Sequence, residues 1–263
     1  MSAVGPFRAL SLDLWFTTFF HTVEDASGWD DARAAVLRHW LVRSAGPALT
    51  DEEIARASRE VLHGLRASGH AAVTTDPGVI VRSVASLLGA EVLGPDGAAG
   101  RALSSAGLRE HPPRANPEAV ALVRAVDRQG VPVALVTNSA RRGESWAAYL
   151  REGTDLPFRA VVSSSDLGVA KPDPAIFLEA ARQLGVSPEE MLHVGDRWEL
   201  DVVGARAAGC GAVLYRGLWG TYPAGLYGEL PPPPADRGGV RLVDSLVELA
   251  DPTLWRGPAS LGR

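Results

Sequence analysis

The chain has 263 residues, with 26 Lys and Arg against 31 Asp and Glu, for a net charge of −5. That balance lacks the phosphate-attracting field of a general nucleic-acid binder, and the single cysteine, Cys210, excludes a disulfide framework. No stretch approaches ~20 uninterrupted apolar residues, so no membrane span is expected. The first apolar run is broken at Asp13, so no secretory signal is read and the expected compartment is cytoplasmic.

In chain order, residues 7–12 (FRALSL) read as a buried strand ending at the carboxylate of Asp13. From about residue 29 to 90 the apolar positions recur at helical spacing, as in Ala35, Val36, Leu37, Trp40 and Leu41. Within this stretch Thr50 is an expected N-cap, with Glu53 placed for a capping box, and residues 79–88 form a further helix. The stretch reads as a helical insertion with no strand signal of its own. After His111-Pro-Pro113 strands and helices alternate. Helices are expected at 117–129, 145–151, 174–184, 199–208 and 245–249, and strands at 131–136, 160–163, 191–194, 212–215 and 240–243. Such alternation implies an α/β fold, a parallel sheet covered on both faces with the site at the strand C-termini. Residues 217–236, with Pro231–Pro234, read either as a surface crossover or as a lip over the site, and the tail after Asp251 is expected to fray.

Four features fall on expected strand ends: Asp13, the pair Thr137-Asn138, Lys171 in GVAKPDPAIF, and Asp196 with Asp201 in VGDRWELD. Alone, each also suits a cap or a turn. Together they supply a carboxylate nucleophile, a lysine to neutralise an anionic substrate, a hydroxyl and an amide for transferring oxygens, and an oxygen-rich site for Mg²⁺. That set suits phosphoryl transfer, where positioning and charge neutralisation carry most of the catalysis.

The arrangement resembles the haloacid dehalogenase superfamily of hydrolases, most strongly at KPDPAIF and VGDRWELDVVGARAAG. The resemblance implies a Rossmann-like core at residues 1–19 and 115–251, a helical cap at 20–114 and a flexible tail at 252–263. It implies Asp13 as nucleophile, Thr137, Asn138 and Lys171 as its catalytic companions, and a metal site of Asp13, Asp196, Asp201 and the backbone carbonyl of Trp15. Arg141 and Arg142 read either as a solvated helix start or as facing the cap cleft. The implied partner is a small-molecule substrate, met by a monomer or homodimer.

The first motif departs from the family's phosphatase pattern. The position two residues after the nucleophile usually holds an aspartate that protonates the leaving alkoxide and later activates water. Here it is Trp15, followed by Phe16 in place of the usual glycine. Indole neither donates a proton at neutral pH nor accepts one as a base. Three outcomes are open: a substrate whose leaving group needs no proton, a proton supplied from elsewhere, or a fold that binds without turnover. The superfamily's dehalogenases carry an aromatic residue at this position, but the acids of the fourth motif are of the phosphatase type. Trp15 and Phe16 are also expected to wall the cleft and to favour an apolar or aromatic substrate. Trp198 is the second candidate for such a wall, the remaining tryptophans read as packing, and His193 reads as a satisfied core histidine.

Overall fold

The computed structural model describes residues 6–67, 76–95, 97–222 and 230–256. The ALSLD segment forms β1 (Ala9–Asp13), buried along its whole length. Side-chain alternation divides it between two cores. Leu10 and Leu12, with Leu14 just beyond, join Leu122, Val123 and Trp146 on one side. Ala9 joins Val136, Ile176 and Phe177 on the other. Burial of leucines like these contributes roughly 1.5–3 kcal/mol each.

After β1 the chain forms β2 (Phe19–Phe20) and leaves the sheet. The helical stretch that follows comprises α1 (Val23–Arg38), β3 (Leu41–Val42), α2 (Asp51–Ala67), α3 (Pro77–Leu88), β4 (Glu91–Val92) and α4 (Ala98–Ser105). It closes its own core around Leu37, Ile54, Ile80, Val84 and Leu103. The expected capping box is present: the Thr50 amide donates to Glu53 Oε2 (2.8 Å) and the Glu53 amide to Thr50 Oγ1 (3.2 Å). Two details differ from the sequence reading. A second capping box, Thr22 with Asp25, starts α1 earlier than the apolar spacing suggested. The stretch also contains a small antiparallel ladder, β3 with β4. The chain returns through β5 (Arg114–Ala115), paired antiparallel with β2, so exit and re-entry lie side by side.

The alternating part then supplies α5 (Pro117–Asp127), β6 (Val133–Thr137), α6 (Gly143–Gly153), β7 (Phe158–Ser163), α7 (Pro174–Leu184), β8 (Met191–Gly195), β9 (Gly211–Tyr215) and β10 (Arg241–Val243). They build the expected parallel sheet, six strands in the order β10-β9-β8-β1-β6-β7. β1 is flanked by β6 and β8, with Asp13 opposite Val136 and Leu12 opposite Val194. This register brings the C-termini of β1, β6 and β8 together. It is where the strand order reverses, the place in an open α/β sheet where a crevice forms.

The tail is a correction. Residues 252–256 are tied down: the Phe7 amide donates to the Leu254 carbonyl (2.8 Å), and the buried indole of Trp255 donates to the Leu249 carbonyl (2.8 Å). Residues 257–263 lie outside the described residues, as do 223–229 of the expected loop. Among the described residues no helix is long and apolar enough to cross a membrane.

Candidate active site

Asp13 ends β1 and is nearly buried. The Thr18 hydroxyl fixes its backbone by donating to the Asp13 carbonyl (2.6 Å). Lys171, on the loop before α7, reaches Asp13 Oδ1 and, at 2.5 Å, Asp201 Oδ1. Its own backbone is clamped by Asn138, whose amide donates to the Lys171 carbonyl (2.9 Å) while its Oδ1 accepts from the Lys171 amide (2.8 Å). Asn138, read from the sequence as an oxygen binder, has its side chain committed here to holding the lysine loop. Thr137 ends β6 with its hydroxyl buried and without a partner.

Asp196 follows β8, and Asp201 lies on the wide π-helical turn Trp198–Val203. A Cβ on Gly195 would lie 2.2 Å from the Asp201 carboxyl carbon, so only glycine lets that carboxylate settle against the end of the strand. The two acids differ in their surroundings. Asp201 Oδ1 receives Lys171 and, at 3.3 Å, His193 Nε2, while its Oδ2 accepts the Arg197 amide (2.9 Å). Asp196 Oδ2 is buried and has no partner.

Three buried carboxylates therefore face one ammonium. For Lys171, burial works against the charged form, but Asp13 and Asp201 overturn this and hold its pKa above the ordinary value. Burial raises the Asp13 carboxyl to about 6, against the pull of Lys171 and with a push from Asp201. Burial, then the charges of Asp13 and Asp201, push Asp196 well above the usual carboxylate range. Burial would also raise Asp201, but Lys171 and His193 hold it low. Oxygens of Asp13, Asp196 and Asp201 lie within 4.8 Å of one another. An excess of buried negative charge with one partnerless carboxylate oxygen fits a hard divalent cation such as Mg²⁺.

Trp15 does not stand alone. Its half-buried ring contacts His21 (4.9 Å between centroids), Trp29 (5.4 Å) and Trp146 (5.5 Å). Trp29 comes from α1 and Trp146 from α6, so two tryptophans read as ordinary packing join the one beside the nucleophile. Phe16 is buried with φ at +58°, a left-handed conformation that glycine adopts without strain and a side chain does not. Its ring meets His21 (5.4 Å) and Tyr222 (4.8 Å). The Trp219 indole donates to the Asp196 carbonyl (3.1 Å). The described start of the loop after β9 thus reaches the acid loop through Trp219.

Arg141 corrects the solvated reading and leaves no group free for substrate: it faces the helical stretch but is buried there, and its two terminal nitrogens donate to the carbonyls of Ser104 (2.6 Å) and Ala106 (2.7 Å) at the end of α4. Its guanidinium lies 5.9 Å from the Trp29 ring and 6.0 Å from the Trp146 ring. Arg142 pairs with Asp76 at the start of α3. Tandem arginines at a helix start gave no signal of this, because the carbonyls that receive them are brought in by the tertiary fold.

A family model described as haloacid dehalogenase-like hydrolase matches residues 107–209. That stretch contains Thr137, Asn138, Lys171, Asp196 and Asp201, but not Asp13 or Trp15. A glyceraldehyde 3-phosphate phosphatase of Methanopyrus kandleri is 40% identical over 100 residues, 38% of this chain and 42% of that protein. A phosphoserine phosphatase of Thermus thermophilus is 40% identical over 103 residues, 39% of this chain and 41% of that protein. The chain thus spans about two fifths of the length of the curated relatives it matches. A 2-haloacid dehalogenase from Pseudomonas syringae pv. Tomato and a HAD phosphatase from Thermococcus onnurineus share the fold, each with a TM-score of 0.57 at 20% identity. These alignments cover 92% of this chain and 96% and 95% of the two structures.

Proposed function

With residues 107–209 a haloacid dehalogenase-like hydrolase region, and the whole chain sharing the fold of that superfamily's members, we propose that the protein is a Mg²⁺-dependent phosphatase of a small molecule that works through an aspartyl phosphate on Asp13. The observation that carries this reading is the meeting of a lysine-held carboxylate with a partnerless Asp196 Oδ2 and a partnerless Thr137 hydroxyl at three adjoining strand ends.

In this account Asp13 attacks phosphorus in line with the departing oxygen. Lys171 neutralises charge shared between nucleophile and phosphoryl group, and Thr137 donates to a phosphoryl oxygen. Asn138 holds Lys171 in place through its backbone. Asp13 and Asp196, with the Trp15 carbonyl and with Asp201 behind them, would hold Mg²⁺, which when bound neutralises phosphoryl charge. The helical stretch serves as a cap, clamped to the core by Arg141 and Arg142.

Trp15 restricts the chemistry. Loss of a general acid typically costs ~10²–10⁴ in rate, so the favoured substrates are those whose leaving group departs without a proton, such as aryl or acyl phosphates. The ring cluster at the cleft supports a flat or apolar leaving group. The test is release of phosphate from p-nitrophenyl phosphate. Activity is expected with Mg²⁺ and is expected to vanish in excess chelator and in Asp13→Asn; survival in chelator rejects the reading. The aromatic Trp15 also suits a dehalogenase-like hydrolase, for which halide release from short 2-haloacids without metal is the distinguishing result. Ligand binding with no turnover of either kind would leave a binding protein on a degenerate hydrolase fold.

A further inference from the structure

The catalytic account makes no use of two buried side chains, Ser11 and His193, that lead to Asp201 behind the lysine. Ser11 on β1 stands opposite His193 on β8 in the sheet register. Ser11 Oγ and His193 Nδ1 are 2.9 Å apart, and His193 Nε2 lies 3.3 Å from Asp201 Oδ1. The relative exposures of Ser11, His193 and Asp201 are 0%, 0% and 1%.

The hydrogen bonds fix the tautomer. A carboxylate oxygen only accepts, so Nε2 carries the proton toward Asp201. Nδ1 is then the acceptor, and the Ser11 hydroxyl donates to it. The Phe177 ring, edge-on at 4.8 Å, holds the imidazole plane. A serine, a histidine and an aspartate in a row suggest a nucleophilic triad, but all three are sealed from solvent, and no substrate atom can reach the serine.

The hydrogen bonds lead instead to Asp201 Oδ1, the same atom that receives Lys171 at 2.5 Å. Lys171 then reaches the nucleophile. With the Arg197 amide on Oδ2, Asp201 has three donors and a fixed orientation. We propose that His193 is a positioning residue for the reaction, a donor that sets the Asp201 carboxylate so that Lys171 is presented to Asp13. The catalytic consequence rests on the phosphatase reading above; the hydrogen-bonded arrangement does not.

The experiment compares His193→Leu, which fills similar space without a donor, with His193→Gln, whose amide can donate to Asp201 and whose carbonyl can accept from Ser11. Loss of an orienting partner behind a catalytic group typically costs ~10–100-fold, and that loss is expected in kcat for the leucine variant, with KM changed less than about threefold. The glutamine variant is expected to recover most of kcat. Ser11→Ala, which fills no new space, is expected to lower kcat in the same direction with KM unchanged. Equal losses in the leucine and glutamine variants would mean that His193 only packs, and wild-type kcat in the leucine variant would also overturn the proposal. A second readout needs no activity: ¹⁵N spectra of the imidazole in the intact protein should show the Nε2–H tautomer. An Nε2 without a proton, the Nδ1–H tautomer, overturns the arrangement. If the wild-type protein hydrolyses no phosphate ester, the phosphatase reading falls alone, and the tautomer decides the His193 claim.

Discussion

Asp196 shows at the level of one residue what the site demands. Its Oδ2 is buried without a partner, a costly state for an ionised carboxylate and a useful one for a cation ligand. The sign of the linkage follows from the raised pKa values. Asp13, raised to about 6, and Asp196, raised well above the usual range, bind protons more readily folded than unfolded. Their stabilising contribution is fully present below the unfolded carboxylate value of about 4 and is lost as pH rises through the folded values. Without metal, the melting temperature is therefore expected to fall across and beyond about pH 4–6 relative to Asp196→Asn, and Mg²⁺ is expected to restore it. Asp196→Asn should stabilise the metal-free protein at neutral pH by about 1–3 kcal/mol, roughly 2–4 °C for each kcal/mol, and abolish the response to Mg²⁺. A variant less stable than the parent would contradict the electrostatic account. Trp15→Asp tests the missing acid, but the structure adds a cost. The ring contacts two tryptophans and a histidine, so the change should also lower stability by roughly 2–4 kcal/mol. Measured below its melting transition, it should raise activity on alkyl phosphates more than on aryl phosphates. No gain on either would mean that the ring cluster, and not the acid alone, defines the cleft.

Among the elements, the junction between the helical stretch and the sheet depends on Arg141. A buried guanidinium bonded to two carbonyls at the end of α4 and set against two indoles joins α4 to the start of α6, beside the direct contact of the Ser104 and Ser145 hydroxyls (2.8 Å). Arg141→Met removes the charge and both hydrogen bonds, leaving two carbonyls to find other donors. The expected loss is about 2–4 kcal/mol, with amide hydrogen exchange faster in α4 and unchanged in β1 and β6. Equal acceleration in strands and α4 would mean general destabilisation, not a released clamp. This junction was the least legible part of the sequence. Strand ends could be read because an apolar run that stops at Asp13, Thr137 or Asp196 is a local pattern. The Thr50 capping box was local too. The ring cluster joins residues 15, 29 and 146, and the Arg141 clamp joins residues 104, 106 and 141; such pairings are set by how helices pack, which no spacing along the chain encodes. The buried role of Arg141 was hidden further by Arg142 beside it, since two arginines in sequence look like solvated charge.

At the scale of the molecule, the sheet places β1 between β6 and β8 and so gathers the acids, the hydroxyl and the lysine from distant parts of the chain. A dehalogenase and a phosphatase share this fold equally well, so the fold does not choose the chemistry. On the proposed phosphatase reading the acids after β8 would hold the metal, and Trp15 would set which half of phosphoryl transfer is slow. In the phosphatase pattern from which the first motif departs, the aspartate at this position protonates the leaving group and also activates water for the second step. With a good leaving group the first step proceeds without it, while hydrolysis of the acyl phosphate loses its base. The phosphorylated enzyme should therefore accumulate. The direct measurement is rapid-mixing turnover of p-nitrophenyl phosphate with Mg²⁺, followed by quenching and peptide mass analysis. The account predicts a burst of nitrophenolate approaching one per protein molecule, a slower steady state, and phosphate on the peptide carrying Asp13. Turnover with no burst and no phosphorylated Asp13, or an unchanged burst in Asp13→Asn, would contradict it.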